Sequence, residues 1–418
     1  MSKSAVIFYY NRQNRYSINS LLGSLQLRKD ILDKVDVYLS YTTEDLLQTL
    51  RETTNTNRYR NLIVCISFTS FQYEKVFNVV REIKTINTNR NLILICGGAH
   101  PTGSPQTALK LGFEICVLGE AEEVFIKLIE RILDDTDWSL LPSIAFFDKY
   151  GNIVINKRNE HFVNLDEYSN ISEYFNRYGP IEITRGCPYS CAFCQTSQIF
   201  GTKLRHRSIS KICEMVETMA SKGLYDTRFI TPSLFLYGSN DGKVLNLEKL
   251  EELFKTVTKI IKPKGKLFIG TFPSEVRPEH INRDTVELLK HYADNDNIII
   301  GAQSGSNRIL NLCNRNHTVK DIYSAVELLT KAGFKVNLDF IFGLPYEEEK
   351  DVKETMKVIN ELVSKYKVRI HAHIFLPLVG TKFQNCNPSQ NLKYYIQYCY
   401  QLKSKGILYG EWEKQLGY

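Results

Sequence analysis

The chain opens on an apolar run, Ala5–Tyr10, and similar runs recur at Val35–Leu39, Leu62–Phe68, Leu92–Cys96 and Phe113–Leu118. Helical stretches fall between and after them, at Leu21–Leu32, Glu44–Arg51, Val76–Ile86, Gln106–Leu111 and Ala121–Ile132. Strand–helix alternation of this length predicts a parallel sheet covered by helices on both faces. Ligands on such sheets bind beyond the carboxyl ends of the strands. Ser67 ends one of these strands, Gly97-Gly98-Ala99-His100-Pro101 follows another, and Gly119-Glu120 follows a third. Such glycines serve tight strand-to-helix turns equally well.

Ile144–Phe147 and Ile153–Asn156, joined through Asp148-Lys149-Tyr150-Gly151-Asn152, read as a hairpin inside a connector of residues 140–178. From Ile181 the alternation resumes for six units. The strands are Ile181–Thr184, Arg228–Thr231, Leu267–Thr271, Ile298–Ala302, Val336–Phe342 and Val368–Phe375, and the helices include Ser208–Ala220, Leu247–Ile261, Thr285–Tyr292, Val319–Ala332 and Val352–Ser364. Six units fall short of the eight of a closed barrel. The expected fold class is therefore α/β: a doubly wound, Rossmann-like domain over 1–139, then an open, partial (β/α)6 TIM-like barrel over 179–378. A helical extension over 379–418 is expected to cover the barrel's open side.

A length of 418 residues fits two or three domains, and the apolar and charged fractions of 43% and 24% are those of a soluble globular protein. No apolar run is long enough to span a bilayer, and Ala5–Tyr10 is too short for a secretory signal, so a cytoplasmic protein with no membrane span is expected. The net charge of +7 is mild and scattered, which argues against a nucleic-acid partner.

The ten cysteines follow no disulfide-scaffold spacing, as expected in a reducing compartment. Cys65, Cys96 and Cys116 sit inside apolar runs and read as small buried hydrophobes, and the isolated Cys213, Cys313, Cys386 and Cys399 get the same reading. Three remain. Directly after the first barrel strand comes Thr184-Arg185-Gly186-Cys187-Pro188-Tyr189-Ser190-Cys191-Ala192-Phe193-Cys194. Soft thiolates hold iron–sulfur clusters, and three cysteines leave the fourth iron of a cubane open, as catalytic metal sites require. Zinc is the competing metal, although a structural zinc site wants a fourth close ligand and His206 is far along the chain.

This loop, with Phe193 just before its last cysteine, resembles the signature of the radical S-adenosylmethionine (SAM) superfamily. The resemblance implies a four-iron four-sulfur cluster on Cys187, Cys191 and Cys194 whose open iron chelates SAM, and a 5′-deoxyadenosyl radical formed by reductive cleavage. Asn297–Ser306, which contains Gln303 and Ser304, resembles the strand-four segment that packs on SAM. Asp339–Pro345 resembles strand five, and Pro377–Thr381 the stretch after strand six. Where the superfamily often carries Gly-Gly-Glu after strand two, this chain has Ile230-Thr231-Pro232-Ser233, so Thr231 and Ser233 are the candidate contacts there. Phe193 is expected against adenine. Ser274, Glu275 and Arg277 follow strand three, with Arg277 a candidate partner for the SAM carboxylate. His371 and His373 alternate with apolar residues on strand six and point to one face, where they are candidates to border the substrate.

The amino-terminal domain resembles the cobalamin-binding domain of class B radical SAM enzymes. Cys96–Thr102 and Val117–Glu123 are similar to its later motifs and imply corrinoid contacts from Ser67, Gly97, Gly98, His100, Gly119 and Glu120. The Asp-x-His-x-x-Gly segment of many cobalamin proteins is replaced by Tyr10-Asn11-Arg12-Gln13-Asn14-Arg15-Tyr16-Ser17, so no protein histidine is expected on cobalt, a change that eases access to nucleophilic Co(I). His100 is expected nearer the nucleotide tail. The cofactors implied are the cluster, SAM and cobalamin, with an external electron donor. The implied activity is methyl transfer from SAM through cobalamin to an unactivated carbon of a protein side chain, a lipid or a small metabolite. Rearrangement or oxidation without methylation is the alternative, and a redox sensor or corrinoid carrier the non-enzyme one. A methylthiotransferase would need three loop cysteines in its amino-terminal domain, whereas Cys65, Cys96 and Cys116 fall in strands.

Overall fold

The computed structural model describes residues 3–56, 58–86, 91–159 and 161–417, in two compact units that divide at Gly179 and Pro180. In the first unit β1 (Lys3–Tyr9), β2 (Val35–Ser40), β3 (Tyr59–Ser67), β4 (Asn91–Gly97) and β5 (Ile115–Val117) form parallel ladders in the order β2-β1-β3-β4-β5. The apolar runs are continuous because both faces are covered. Ala5, Ile7, Leu62 and Val64 share a core with Leu46 and Leu50 of α2 (Thr43–Asn55) and Val76 and Val80 of α3 (Tyr73–Thr85). Val6, Phe8, Ile63 and Cys65 pack on the other side with Ile18 and Leu22 of α1 (Arg15–Leu25) and Phe125 and Ile129 of α4 (Glu122–Leu133). The strand order reverses between β1 and β3, which makes their carboxyl ends the ligand-binding edge of such a sheet.

α1 begins at Arg15, ahead of the expected Leu21, and stops at Leu25; a separate turn covers Lys29–Leu32. Its first turn is polar, so apolar periodicity does not reveal it. Its start is held from outside the helix, where the Asn14 side-chain amide donates to the carbonyls of Tyr9 and Ser67 at 2.7 and 3.1 Å. Gly23 inside α1 is required by packing, since a Cβ there would lie 2.0 Å from the Ser169 carbonyl oxygen.

The hairpin expected as a connector is part of this sheet. β6 (Ile144–Phe147) runs antiparallel to β5, and β7 (Ile153–Ile155) antiparallel to β6, giving seven strands. β5 has only three residues and would leave a short, bare edge, which Ile144, Ala145 and Phe146 bury.

The second unit carries β8 (Ile181–Glu182), β9 (Thr227–Ile230), β10 (Leu267–Phe268), β11 (Asn297–Gln303), β12 (Lys335–Phe342) and β13 (Arg369–Ile374). Parallel ladders join β8 to β9 and β9 to β10, and also β11 to β12 and β12 to β13. Between the two sets, Ile299 N–H donates to the Gly270 carbonyl at 2.8 Å and Val276 N–H to the Ile299 carbonyl at 3.0 Å, so the wall is continuous. Helices α5 (Ile209–Ser221), α6 (Leu247–Ile261), α7 (Arg283–Tyr292), α8 (Val319–Lys331) and α9 (Glu349–Tyr366) return the chain between strands. The buried stripe of α6, Leu250, Leu253, Phe254, Val257 and Ile261, shows the helical spacing that packs it against the wall.

The tail is more than a helical extension. α10 (Leu392–Ser404) leads through Gly406 into β14 (Leu408–Tyr409), which pairs in parallel with β13 and gives the partial barrel a seventh strand. Two residues are too few for a periodicity to register. Among the described residues no helix is long and apolar enough to cross a membrane.

Glu347, just after β12, is buried and accepts from the Tyr395 hydroxyl of α10 at 3.1 Å. Burial pushes its carboxyl up to about 8. The group therefore folds protonated, and its contribution to stability is lost as pH climbs from the ordinary carboxyl range towards 8. Glu347→Gln is expected to stabilise the protein by about 2 kcal/mol at pH 8.5 and to change little at pH 5, measured by denaturant unfolding at both pH values.

Candidate active site

The three cysteines lie on a loop leaving the carboxyl end of β8. Thr184–Arg185 pairs antiparallel with Arg205–His206 and closes the base of the loop. Gly186 has φ +87°, and a Cβ there would fall 2.1 Å from the Lys203 carbonyl oxygen, so only glycine fits. The loop is tied down by Cys187 N–H to the Gly201 carbonyl (3.1 Å), Ala192 N–H to the Cys313 carbonyl (2.9 Å) and Phe383 N–H to the Ala192 carbonyl (3.1 Å). Asn314 adds a side-chain bond to the Tyr189 carbonyl at 2.6 Å.

Burial pushes the Cys187 thiol up to about 11 and raises Cys194 as well, so bare thiolates are costly here and a bound metal is what would favour them. The spread of the sulfurs selects the metal. Thiolates around one zinc ion, at about 2.3 Å from it, lie within about 4.6 Å of each other. Among the described residues the only three metal-binding side chains that converge within 4.8 Å are Asp339, His371 and His373, so the cysteines are too far apart for a single ion and fit a larger cluster.

Two arginines back the loop. Arg315 Nη1 donates to Cys191 Sγ at 3.5 Å and Nη2 to the Gly301 carbonyl at 2.8 Å, while its buried Nε has no partner. Arg277 lies over the Tyr189 ring at 3.4 Å, donates from Nε to Glu279 Oε1 at 2.5 Å, and bonds the Arg315 carbonyl through Nη2. Arg277, the expected partner of a carboxylate ligand, thus commits two of its nitrogens to protein and braces the loop. Arg315 was not singled out from the sequence. The signal lay in Cys313-Asn314-Arg315-Asn316-His317, a polar run whose two asparagines both adopt positive φ.

The other expected SAM contacts separate in the same way. The Ser233 hydroxyl is buried without a partner and remains available to a ligand. Thr231 Oγ1 donates to the Ser233 carbonyl at 2.9 Å, and Ser274 Oγ to the Thr271 carbonyl at 3.0 Å. Ser304 Oγ accepts from Ser306 N–H at 3.2 Å. Gln303 sits at φ +68°, at an irregularity of the β11–β12 ladder, with its amide folded over Gly301. Phe193 packs beside the cysteines and, with Ile341, against the cluster that contains Ala192.

β12 and β13 alternate: Leu338, Phe340, Phe342, Ile370, Ala372 and Ile374 are buried towards the helices. Asp339, Ile341, His371 and His373 form the opposite, inner row, which Ile341 joins to the cysteine loop. His371 Nδ1 is 3.0 Å from Asp339 Oδ1, and its ring stacks on Tyr409 of β14 at 4.8 Å. Burial holds His373 down to about 4 and, with the Asp339 charge nearby, pushes Glu275 up to about 7.

In the first unit the candidate residues gather at the carboxyl ends of β3, β4 and β5. Ser67 Oγ and Ser17 Oγ are 2.8 Å apart. Gly97 ends β4, and Gly98 follows at φ +99°, where a Cβ would lie 2.8 Å from the Phe68 carbonyl oxygen. His100 stacks on Phe68, with Nδ1 3.1 Å from Ser70 Oγ and Nε2 2.9 Å from Thr107 Oγ1. Both ring nitrogens are engaged, and burial keeps the ring neutral, down to about 4. Gly119 N–H donates to Thr102 Oγ1 at 2.9 Å, and Glu120 accepts from Val163 N–H at 3.2 Å.

Residues 181–359 match the family model described as the Radical SAM superfamily. An uncharacterized protein of Methanopyrus kandleri is 26% identical over 213 residues, covering 50% of this chain, and the chain spans only 39% of that relative's length. A tRNA-2-methylthio-N(6)-dimethylallyladenosine synthase of Sulfurihydrogenibium sp. is 26% identical over 353 residues, 80% of this chain and 73% of that one. Among solved structures, the radical S-adenosylmethionine methyltransferase TsrM from Kitasatospora setae, with cobalamin and a four-iron four-sulfur cluster bound, has a TM-score of 0.70 at 15% identity, over 92% of this chain and 74% of that chain. Residues 181–359 thus form a radical SAM domain, and the chain has the fold that a cobalamin-bound radical SAM methyltransferase adopts.

Proposed function

We propose that this chain is a cobalamin-dependent radical SAM C-methyltransferase. The observation that carries the reading is the three-thiol loop, too widely spread for one ion, in a chain whose first unit has the doubly wound fold that suits a corrinoid. When bound, the cluster supplies the electron that cleaves SAM, and the corrinoid carries the methyl group.

The chain's own residues divide this work. Cys187, Cys191 and Cys194 hold the cluster, and the Arg315 N–H on Cys191 Sγ offsets its negative charge. Ser233 offers its unpaired hydroxyl to the methionyl end of SAM, in the place where the superfamily often has Gly-Gly-Glu. Phe193 and the Gln303–Ser304 segment face the nucleoside. In the first unit Gly97, Gly98 and Gly119 let backbone approach the corrinoid, with Ser67, His100 and Glu120 at the same strand ends. His100, with both nitrogens bonded to hydroxyls, is a wall of that site rather than a cobalt ligand. The inner row of β12 and β13 borders the substrate, which is a protein side chain, a lipid or a small metabolite, and an external donor supplies electrons.

Cys65, Cys96 and Cys116 are buried in strands, with the Cys96 and Cys116 sulfurs 3.0 Å apart, which argues against a second cluster and so against methylthiolation. The test uses anaerobically reconstituted full chain, reductant and methyl-labelled SAM, with and without added cobalamin. Cobalamin-dependent S-adenosylhomocysteine, together with 5′-deoxyadenosine, is the expected outcome. 5′-Deoxyadenosine alone would replace the reading with a rearrangement or oxidation, and no cleavage at all would leave a carrier or sensor.

A further inference from the structure

The inner row of β12 and β13 carries a group of side chains that the cluster, SAM and corrinoid do not use. Asp339 and His371 are paired across the ladder, as are Ile341 and His373. The three polar side chains therefore converge from neighbouring strands onto one face, and each offers a ligand atom within 4.8 Å of the others. The separation of 3.0 Å between Asp339 Oδ1 and His371 Nδ1 is that of two adjacent ligands on one ion, given metal–ligand bonds of about 2.1 Å.

A buried histidine–aspartate hydrogen bond would account for His371 and Asp339 alone. It does not account for His373, whose ring sits edge-on to His371 at 4.3 Å. Nor does it account for the surroundings. Glu275 brings a second carboxyl close to Asp339 and His371, and Tyr409 stacks flat on the His371 ring. Two imidazoles and a carboxylate on adjacent strands, open on one side, are the donor set of divalent first-row metals with free coordination positions.

We propose that Asp339, His371 and His373 bind a divalent transition-metal ion on the inner face of the barrel. The site sits one row from Ile341, and Ile341 and Phe193 of the cysteine loop pack against a common cluster. Its free positions would take a carboxylate, amine or other heteroatom of the substrate and hold the reacting carbon still. That substrate role rests on the function proposed above; metal binding itself does not.

The test separates the two. Full-length protein carrying Cys187→Ala, Cys191→Ala and Cys194→Ala, without cobalamin, is titrated anaerobically with Co2+ and followed by visible absorption and metal content. One equivalent bound, with weak visible bands and no thiolate charge-transfer band, is expected. His373→Ala on this background is expected to weaken binding by at least about tenfold. Because His371→Ala loses a packed ring and risks the fold, the second measurement is the thermal midpoint of the chain with native cysteines, which Zn2+ should raise and His373→Ala should make insensitive to Zn2+. Absent binding, binding through sulfur, or an affinity unchanged by His373→Ala overturns the site. A Co2+ site present in a chain that never cleaves SAM would leave this inference standing and remove the proposed function instead.

Discussion

Cys191→Ala is expected to abolish reductive cleavage of SAM, with 5′-deoxyadenosine formation falling by more than about a thousandfold and iron content dropping well below the roughly four per chain of a cubane. Cys191 is the most enclosed of the three loop cysteines and the one that Arg315 contacts. Two thiolates leave two irons without protein ligands, and the cluster is lost to solvent and chelators. Nearby Cys313 cannot stand in for it, because its thiol is buried among Ala192, Ile309 and Leu344 and burial pushes it up to about 12. The measurements are iron and sulfide content, the electron paramagnetic resonance signal of the reduced protein and 5′-deoxyadenosine by chromatography. Circular dichroism should match the unsubstituted protein. A variant that kept its iron and its cleavage rate would refute the assignment of the loop.

Arg315→Met is expected to keep the cluster and impair its reduction. The guanidinium donates to Cys191 Sγ, and electrons added to a cluster are stabilised by such bonds and by nearby positive charge. Removing both should lower the potential by on the order of 60 to 100 mV, and for a one-electron couple about 59 mV is tenfold in the reduced fraction, so SAM cleavage should slow by about ten- to fiftyfold at fixed donor potential. Methionine keeps the carbonyl to which Arg277 is bonded, so the brace over Tyr189 survives. A redox titration followed by paramagnetic resonance reads the potential directly. Arg315→Lys keeps the charge without the planar fork and should fall between the two. An unchanged potential in the methionine variant would reduce Arg315 to a structural tie between the loop and β11.

What the chain reveals by reading alone is what depends on neighbours in sequence. β1, β3 and β4 stand out because helices cover both faces of the sheet and consecutive central positions, such as Ala5–Phe8 and Leu62–Ile66, are apolar. The cysteine loop stands out because its three thiols lie within eight residues of one another. Long-range partnerships stay hidden. Arg315 looks like any cation until the fold brings it to Cys191, 124 positions away in the chain. Ser274 and Thr231 look like ligand contacts, yet their hydroxyls are satisfied by carbonyls a few residues off, and only Ser233 stays unpaired. Hairpin strands β6 and β7 are visible as strands, but their joining the sheet depends on how short β5 is. α1 begins before its apolar stripe does, because Asn14 fixes its start by bonds to two strands.

The last strand of the barrel has a consequence for how chains of this fold diversify. Tyr409 reaches the inner chemistry from a segment that contributes no cysteine to the loop and no ladder to β11 or β12, yet it lies flat against His371. On the function proposed above, exchanging the stretch from Leu392 onward between related chains would change what lies against His371 while leaving the cysteine loop intact. On that reading, a graft of this piece carries one chain's choice of molecule to another.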